Sequence, residues 1–195
     1  KRIGAKFLHP GPGYGGSCFP KDTLALVKTG EATDIDMSIV SALVGYNDHR
    51  KTDMARLIIA ANGGSVEGLK IALLGLAFKP ETDDMRESPA ITIASELARK
   101  GADIVAFDPA AMDEARPLLP AATQYCDTVE ACIEGADCAV IITEWNQFRA
   151  ITAQKFLQAM TGNIVVDLRN IYNPEAFLSA GIDYHSIGRP AKQPK

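Results

Sequence analysis

Apolar residues recur at three- and four-residue spacing over residues 34–62, and this pattern predicts one long helix. Ile35, Ile39 and Leu43 lie on one stripe of that helix, and the Asn-Gly-Gly-Ser sequence at 62–65 ends it. A helix of about 25 residues would be about 38 Å long, which is more than a small domain needs. Because its apolar stripes would leave a large exposed patch on a monomer, we expect residues 34–62 to hold a homodimer together.

From residue 69 onwards, short apolar runs alternate with amphipathic stretches. Such alternation predicts a parallel sheet that is covered by helices on both faces. The predicted strands are 70–74, 102–107, 123–126, 138–143, 163–167 and 182–187. The predicted helices are 89–100, 112–116, 129–134, 152–160 and 174–180, with an earlier one at 22–29 that Gly30 closes.

The predicted fold class is therefore α/β, with a long central dimerisation helix followed by a Rossmann-like doubly wound parallel sheet. We place a central helical domain at residues 1–65 and the sheet domain at residues 66–195. Ser88 and Pro89 are typical of a helix start, with Ser88 as the N-cap.

The composition is that of an ordinary globular protein, with 47% apolar and 23% charged residues in a chain of 195. The net charge of −4 argues against nucleic acid as a main partner. No apolar run reaches the roughly 18 residues of a membrane helix, so we expect no membrane attachment. The four cysteines, at positions 18, 126, 132 and 138, do not have the spacing of zinc ligands. We therefore expect no metal site and a reducing, cytoplasmic setting.

The stretch with the most chemistry is Gly11-Pro-Gly-Tyr-Gly-Gly-Ser-Cys-Phe-Pro-Lys-Asp22. Its glycines allow tight turns and a close approach of the backbone to a ligand. Cys18 precedes a predicted helix start, where the helix N-terminus and Lys21 favour a nucleophilic thiolate. Asp22 could cap the helix or orient a water molecule. The alternative is a glycine-rich turn that carries an inert, buried cysteine.

Residues 13–22 of that stretch resemble the active-site segment of the UDP-glucose/GDP-mannose dehydrogenase family. Three later stretches agree with the family in order and spacing. They are Tyr46-Asn-Asp-His-Arg-Lys51, Gly75-Leu-Ala-Phe-Lys-Pro80 with Asp83-Asp-Met-Arg-Glu-Ser-Pro89, and Val166-Asp-Leu-Arg169. The resemblance covers essentially the whole chain, but only the back half of a family member. We therefore expect the family's dinucleotide-binding domain to be missing from this chain.

The resemblance implies an NAD-dependent, two-step oxidation of UDP-glucose to UDP-glucuronate. Cys18 would hold the intermediate as a thiohemiacetal and then as a thioester, and Asp22 would position the hydrolytic water or carry its proton. NAD would be bound mainly by the missing domain, with Arg86 touching it through its guanidinium. The family also uses a Lys and an Asn from an N-terminal segment that is missing here, so the chain by itself is expected to be inactive.

The sugar nucleotide is expected at the carboxyl ends of the strands, where open α/β sheets bind ligands. The Gly75–Lys79 turn lacks the second and third glycines of a dinucleotide fingerprint, which fits a nucleoside diphosphate better than NAD. The resemblance implies that the UDP-sugar contacts Phe78, Lys79 and Arg169, and that Phe7, Tyr14 and Gly15 close over it. It also implies that Arg2 reaches the sugar nucleotide held by the other subunit of the dimer.

Two alternatives stay open at this point. The base and the sugar cannot be read from spacing, so the substrate could be GDP-mannose or a UDP-N-acetyl-hexosamine. A different class of protein, a non-catalytic nucleotide-binding dimerisation module, would need no thiol of low pKa at position 18.

Overall fold

The computed structural model of the chain describes Gly4 and residues 8–189. Two helices come first, α1 (Phe19–Ala32) and α2 (Ser38–Ala61). The strands that follow are β1 (Lys70–Leu74), β2 (Asp103–Phe107), β3 (Gln124–Tyr125), β4 (Cys138–Ile141), β5 (Ile164–Asp167) and β6 (Asp183–Ser186). The helices between them are α3 (Pro89–Arg99), α4 (Met112–Ala115), α5 (Val129–Ile133), α6 (Asn146–Arg149), α7 (Ala153–Ala159) and α8 (Pro174–Ser179).

The strands form one sheet in the order β3-β2-β1-β4-β5-β6, and each neighbouring pair is parallel. Leu74 lies opposite Phe107 on one side and Ile141 on the other, so the carboxyl ends of β1, β2 and β4 are level with one another. The strand order reverses between β1 and β4, which is where a ligand crevice is expected. The prediction of a doubly wound parallel sheet is confirmed.

Helices cover both faces of the sheet, which explains why its central strands are apolar almost throughout. The side chains of β1 alternate between two buried clusters. Ile71 and Leu73 face the cluster that includes α3 and the end of α2, whereas Ala72 and Leu74 face the cluster that includes α5 and α7. Ile58 of α2 is fully buried in the first cluster, so α2 shares its second half with the core of the sheet.

Helix α1 extends beyond the predicted range 22–29 at both ends. Gly30 does not stop the helix. It lies inside α1 and is buried, because its missing side chain leaves room for Met37 to pack against the helix backbone. The glycine therefore serves the close packing of the connection between α1 and α2.

Helix α2 begins at Ser38 rather than at the predicted residue 34. Asp34 has the left-handed backbone conformation, with φ of 55°, and this ends any helical path that starts there. The Asp36 carboxylate then accepts a hydrogen bond from the Ser38 amide at 2.8 Å, which satisfies one of the free N–H groups of the first turn. The separation between α1 and α2 is thus set by a short polar turn.

The first half of α2 is exposed and apolar. Ile39 is 85% exposed and Tyr46 is 62% exposed, in contrast to the buried second half of the helix. We call the exposed apolar set on α1, on α2 and in the turn between them the helix stripe: Leu24, Leu26, Ile35, Ile39, Leu43 and Tyr46. No helix in the described part of the chain is both long and apolar enough to cross a membrane. The stripe is the surface that the predicted homodimer requires, and dimerisation stays a prediction.

Polar side chains in the middle of α2 hold the glycine-rich loop that precedes α1. The Tyr14 amide donates to Asn47 Oδ1 at 2.9 Å, and Asn47 Nδ2 donates back to the Tyr14 carbonyl at 3.1 Å. One turn later, Arg50 donates to the Gly11 carbonyl through Nε at 3.3 Å and Nη2 at 3.2 Å. Since α2 is also part of the sheet core, these bonds fix the loop relative to the sheet.

The substitution Asn47→Ala should release the loop. It removes both bonds to the Tyr14 backbone and leaves a partly buried amide and carbonyl unpaired, so we expect a loss of about 1–3 kcal/mol in the free energy of unfolding. Urea denaturation measures this loss, and hydrogen exchange should show a faster-exchanging Tyr14 amide. Asp48→Ala, on the exposed side of the same helix, is the matched control and should change neither quantity. Unaltered protection of the Tyr14 amide in Asn47→Ala would contradict this account.

Candidate active site

Cys18 occupies the N-cap position of α1, and Pro20 lies in the first turn. Its thiol is exposed, whereas Cys132 and Cys138 are buried and Cys126 is half-buried. Burial raises the pKa of Cys138 to about 12. The alternative of a buried cysteine is therefore wrong for this position, and the reactivity of Cys18 stays a prediction.

Asp22 lies one turn further along α1, and its amide donates to the Cys18 carbonyl at 2.8 Å. Residues four apart share one face of a helix, so the carboxylate lies on the same side of α1 as Cys18. The side chain is exposed, 3.5 Å from Lys21 Nζ, and such exposed pairs add little stability. Asp22 does not cap α1, because it lies within the helix and the cap position is that of Cys18.

The loop ahead of Cys18 lies against the segment that follows β1. The Gly16 amide donates to the Arg86 carbonyl at 2.8 Å. A Cβ at Gly15 would lie 2.5 Å from the Glu87 carbonyl oxygen, and one at Gly16 would lie 2.7 Å from the Phe78 ring. Gly16 also has φ of 84°, in the left-handed region. From the sequence we expected the loop glycines to let the backbone approach a ligand. In the structure Gly15 and Gly16 let the loop backbone approach Glu87 and Phe78 of the same chain.

Sequence reasoning gave no role to the three polar residues of α2 that support this loop. Besides Asn47 and Arg50, Lys51 is only 4% exposed, and its Nζ lies 2.9 Å from Glu87 Oε2. A buried ammonium needs such a partner, so the pair ties α2 to the same segment that contacts Gly15. The signal available in the sequence was the i, i+3 and i+4 spacing of these three polar residues, which puts them on one face of α2.

Arg169 joins the carboxyl ends of three strands. Its Nε donates to the Ile142 carbonyl at 2.7 Å, and its Nη2 donates to the Phe78 carbonyl at 3.1 Å. Nε also lies 3.1 Å from Glu144 Oε2. The hydrogen on Nε points to the Ile142 carbonyl, so the contact with Glu144 is an ion pair without a hydrogen bond. Burial lowers the pKa of Arg169, and Glu144 with Asp167 opposes that shift. A Cβ at Gly11 would lie 2.8 Å from Arg169 Nη1, so this guanidinium also touches the glycine-rich loop.

Two further cations lie at the same edge, and both are exposed. Lys79 Nζ is 5.3 Å from the centre of the Phe78 ring. Arg86 forms a two-pronged pair with Asp84, at 2.9 Å from Nε and 2.8 Å from Nη2, and its carbonyl accepts from Gly16. Hydrogen bonds from Arg86 lower the pKa of Asp84. Asp84 in turn raises the pKa of Arg86, and Cys18 adds a smaller contribution of the same sign. Arg86 is therefore within electrostatic reach of the exposed thiol.

The turn after β1 is filled by protein atoms. Asp108, at the end of β2, accepts from the amides of Leu76 at 2.7 Å and Ala77 at 3.1 Å, and from Trp145 Nε1 at 3.1 Å. In a dinucleotide-binding fold the turn at this place receives the pyrophosphate. A Cβ at Gly75 would also lie 2.5 Å from Cβ of Thr143. This geometry supports the prediction that NAD is not held at this turn.

Most residues predicted for the site are brought to one edge. Tyr14, Gly15 and Cys18 lie on the docked loop and the start of α1, and Phe78, Lys79, Arg86 and Arg169 lie beside them at the strand ends. Arg2 and Phe7 lie outside the described residues. Two cavities of about 300 and 670 Å³ lie elsewhere, beside α5 and beside α8, and are lined by none of these residues. The Cys18 thiol is exposed, so chemistry there would need a further surface to exclude water.

The helix start that was predicted beside this edge is confirmed. Ser88 Oγ accepts from the Ala90 amide at 3.3 Å and caps α3, and Pro89 is in the first turn. The same hydroxyl donates to the Leu76 carbonyl at 2.5 Å, so the cap also holds the turn after β1.

Comparison with known proteins agrees with the geometry. A model of the UDP binding domain of the UDP-glucose/GDP-mannose dehydrogenase family matches residues 72–174, and a model of the family's central domain matches residues 1–49. Among curated proteins, a UDP-glucose 6-dehydrogenase of Rhizobium meliloti is 52% identical over 189 residues, which is 97% of this chain and 43% of that protein. A UDP-glucose 6-dehydrogenase of Bacillus subtilis is 41% identical over 194 residues, which is 100% of this chain and 44% of that protein.

Solved structures show the same relation. A UDP-glucose dehydrogenase from Pyrobaculum islandicum superposes with a TM-score of 0.79 at 34% identity, over 94% of this chain and 40% of that one. An NDP-N-acetyl-D-galactosaminuronic acid dehydrogenase from Methanosarcina mazei gives a TM-score of 0.83 at 26% identity, over the same shares of both chains. The chain spans less than half the length of the relatives that it matches. It belongs to the UDP-glucose/GDP-mannose dehydrogenase family.

Proposed function

We propose that the protein containing this chain is an NAD-dependent UDP-glucose 6-dehydrogenase, and that this chain supplies its nucleophile and its sugar-nucleotide-binding edge. The observation that carries the proposal is the exposed Cys18 thiol at the start of α1, held beside the cationic edge of the sheet. The names of curated relatives that are 38–52% identical over nearly the whole chain support this substrate and product.

The chemistry proposed for Cys18 is covalent. Its thiolate attacks the C6 aldehyde carbon of the half-oxidised sugar, and the carbonyl oxygen takes up a proton, which gives a thiohemiacetal. Loss of hydride from C6 and of the hydroxyl proton gives a thioester. Water then adds to the thioester carbon, the C–S bond breaks, and the products are a C6 carboxylate and the free thiol. Asp22, on the same face of α1, positions that water or takes its proton.

Two molecules of NAD would each take up one hydride when bound. The filled turn after β1 does not fit the pyrophosphate of this cofactor. The guanidinium of Arg86 is exposed near Cys18, and the N–H groups that its pair with Asp84 leaves free can donate to phosphate. We therefore propose Arg86 as the contribution of this chain to NAD binding. The remaining contacts would come from residues N-terminal to the chain, together with the Lys and Asn that the resemblance implies.

The nucleoside diphosphate is proposed to lie along the edge between the docked loop and Lys79. Lys79 is exposed and Arg169 is held at the strand ends, so both place positive charge where the diphosphate would lie. Tyr14 and Gly15 would face the ligand from the loop, as would Phe7. Arg2 would serve the ligand of the partner in a dimer, and the cytoplasmic setting stays a prediction.

Replacement of the nucleophile should separate catalysis from binding. In the intact enzyme Cys18→Ser should lower kcat by several orders of magnitude, with little change in the affinity for UDP-glucose, because the thiol acts on the reacting carbon. NADH formation and calorimetric titration measure the two quantities. Ser17→Ala, whose hydroxyl lies 3.7 Å from the Cys18 sulfur, is the matched control and should retain most of the activity. Normal NADH formation by Cys18→Ala would overturn the mechanism. Binding without oxidation in the unaltered enzyme would favour the non-catalytic module.

The ligand edge can be tested at Lys79. The substitution Lys79→Ala should weaken UDP-glucose binding by about 1–3 kcal/mol, the scale of one charge-assisted hydrogen bond, without destabilising the sheet. Isothermal titration with UDP-glucose, GDP-mannose and a UDP-N-acetyl-hexosamine also identifies the base and sugar. Lys100→Ala, an equally exposed lysine at the end of α3, is the control. Equal affinity in Lys79→Ala and the unaltered protein would place the diphosphate elsewhere.

The homodimer is proposed to form through the helix stripe. If it does, the double substitution Ile39→Glu and Leu43→Glu should give monomer or aggregate, because it places charges on a buried apolar interface. Sedimentation should give twice the protomer mass for the unaltered protein. Leu157→Glu changes a similarly exposed leucine on α7 and should leave the dimer intact. A monomer of the unaltered protein at high concentration would defeat the proposal.

A further inference from the structure

Lys51 of α2 contacts both the glycine-rich loop and the segment that follows β1, and the proposed chemistry does not use it. The residue is only 4% exposed. A Cβ at Gly13 would lie 3.2 Å from Lys51 Cγ, so the stem of the lysine packs against the loop backbone. The Lys51 Nζ lies 2.9 Å from Glu87 Oε2. One buried side chain therefore joins the loop to the segment on which the loop is docked.

Glu87 has an unusual backbone at the point where the loop docks. Its φ is 54°, in the left-handed region that residues with a Cβ rarely adopt. Its carbonyl oxygen would lie 2.5 Å from a Cβ at Gly15, and the Arg86 carbonyl before it accepts from the Gly16 amide at 2.8 Å. A backbone of this kind persists only where surrounding contacts hold it. The ion pair with Lys51 is such a contact.

Stability alone is a weak reason for this ion pair. A buried ammonium loses its hydration, and replacing a buried pair with apolar side chains often leaves the free energy of unfolding unchanged or raises it. The Lys51 side chain is 6% exposed and the Glu87 side chain 58%, so most of the loss of hydration falls on the ammonium. What the pair supplies is a fixed geometry, because it sets the distance between α2 and residues 86–88.

The same short segment also holds the turn at the proposed nucleotide edge. Ser88 caps α3, and its hydroxyl donates to the Leu76 carbonyl at 2.5 Å. The turn that includes Leu76 leads directly to Lys79. Residues 86–88 therefore contact both the loop that carries Cys18 and the turn that carries the exposed cation.

We propose that Lys51 is a positioning residue for the Cys18 thiol, an inference that rests on the proposed function. Its ion pair with Glu87 keeps the loop at a fixed distance from the nucleotide edge, so that the thiolate meets C6 of the bound sugar. Attack needs the reacting atoms about 3–3.5 Å apart, and a misplacement of about 1 Å can lower the rate about 100-fold. In this role Lys51 acts through Gly13 and Glu87 and takes no part in bond making.

The substitution Lys51→Met tests this role in the intact enzyme, because it keeps an unbranched stem beside Gly13 and removes the ammonium. At saturating UDP-glucose and NAD, kcat should fall by about 10- to 100-fold. The calorimetric dissociation constant for UDP-glucose should change little, since Lys79 is unaltered. Arg56→Met is the matched control. It breaks an exposed ion pair with Asp53 on the same helix, at 2.8 Å, and should leave kcat unchanged.

The exposed partner of the pair provides a second variant. Glu87→Gln keeps the length of the side chain and removes its charge, so it should lower kcat in the same way, and it carries the test if Lys51→Met does not fold. Both variants break one and the same ion pair. The double substitution should therefore lower kcat no further than the more damaging single substitution does.

Hydrogen exchange gives a readout that does not depend on activity. The Gly16 amide, which donates to the Arg86 carbonyl, should exchange faster in Lys51→Met and in Glu87→Gln. The Tyr14 amide is held separately by α2 and should keep its protection in both variants.

The possible failures are distinguishable. Normal kcat in both single variants, beside an active unaltered enzyme, would overturn the positioning role and leave the proposed function intact. Equal losses of kcat and of affinity for UDP-glucose, multiplied losses in the double variant, or unchanged exchange of the Gly16 amide would also overturn it. An unaltered enzyme that forms no NADH would remove the proposed function, and the positioning role with it.

Discussion

The site depends on the docking of one glycine-rich loop against the backbone that follows β1. The contact at Gly15 and Gly16 leaves no room for side chains, because Glu87 and the Phe78 ring occupy the places where a Cβ would lie. This close approach brings Cys18 within electrostatic reach of Arg86, which is distant in sequence. Since Asn47 on α2 holds the other side of the loop, the thiol has a fixed position relative to the sheet.

The parts of the fold that depend on local pattern were predicted closely. Strand β1 has the predicted bounds, and α3 differs by one residue at its end, because an uninterrupted apolar run and a Ser-Pro start are local signals. The predicted end of α1 was wrong because Gly30 packs against Met37 inside the helix, and the predicted start of α2 was wrong because Asp34 has a left-handed backbone conformation. Helix α6 was missed, since four residues are too few to show a helical period. The division into domains 1–65 and 66–195 stays a prediction. Met54 and Ile58 of α2, which belong to the first predicted domain, are buried in the core of the sheet domain.

The site was predictable to the extent that topology determines it. Because the carboxyl ends of parallel strands meet at one edge, the sequence could place Phe78, Lys79 and Arg169 together, and the bond from Arg169 to the Phe78 carbonyl confirms that placement. The supports on α2 could not be predicted in the same way. Asn47 and Arg50 bond to backbone atoms of a loop more than thirty residues away, and spacing along a helix does not identify such a partner. Whether the edge residues contact a ligand stays a prediction.

The buried carboxylate of Asp108 explains how a Rossmann-like fold can bind a ligand through contacts other than those of a dinucleotide-binding turn. Dinucleotide folds use the turn amides after the first strand for pyrophosphate and an acid after the second strand for ribose. Here the acid, Asp108, is buried and accepts hydrogen bonds from those turn amides. The amides and the carboxylate therefore bond to each other, and neither is left to bind a dinucleotide. A phosphate that binds at this edge must then be neutralised by side-chain cations. Arg169 is only partly exposed and is paired with Glu144, so most of the accessible charge for the proposed diphosphate rests on exposed Lys79.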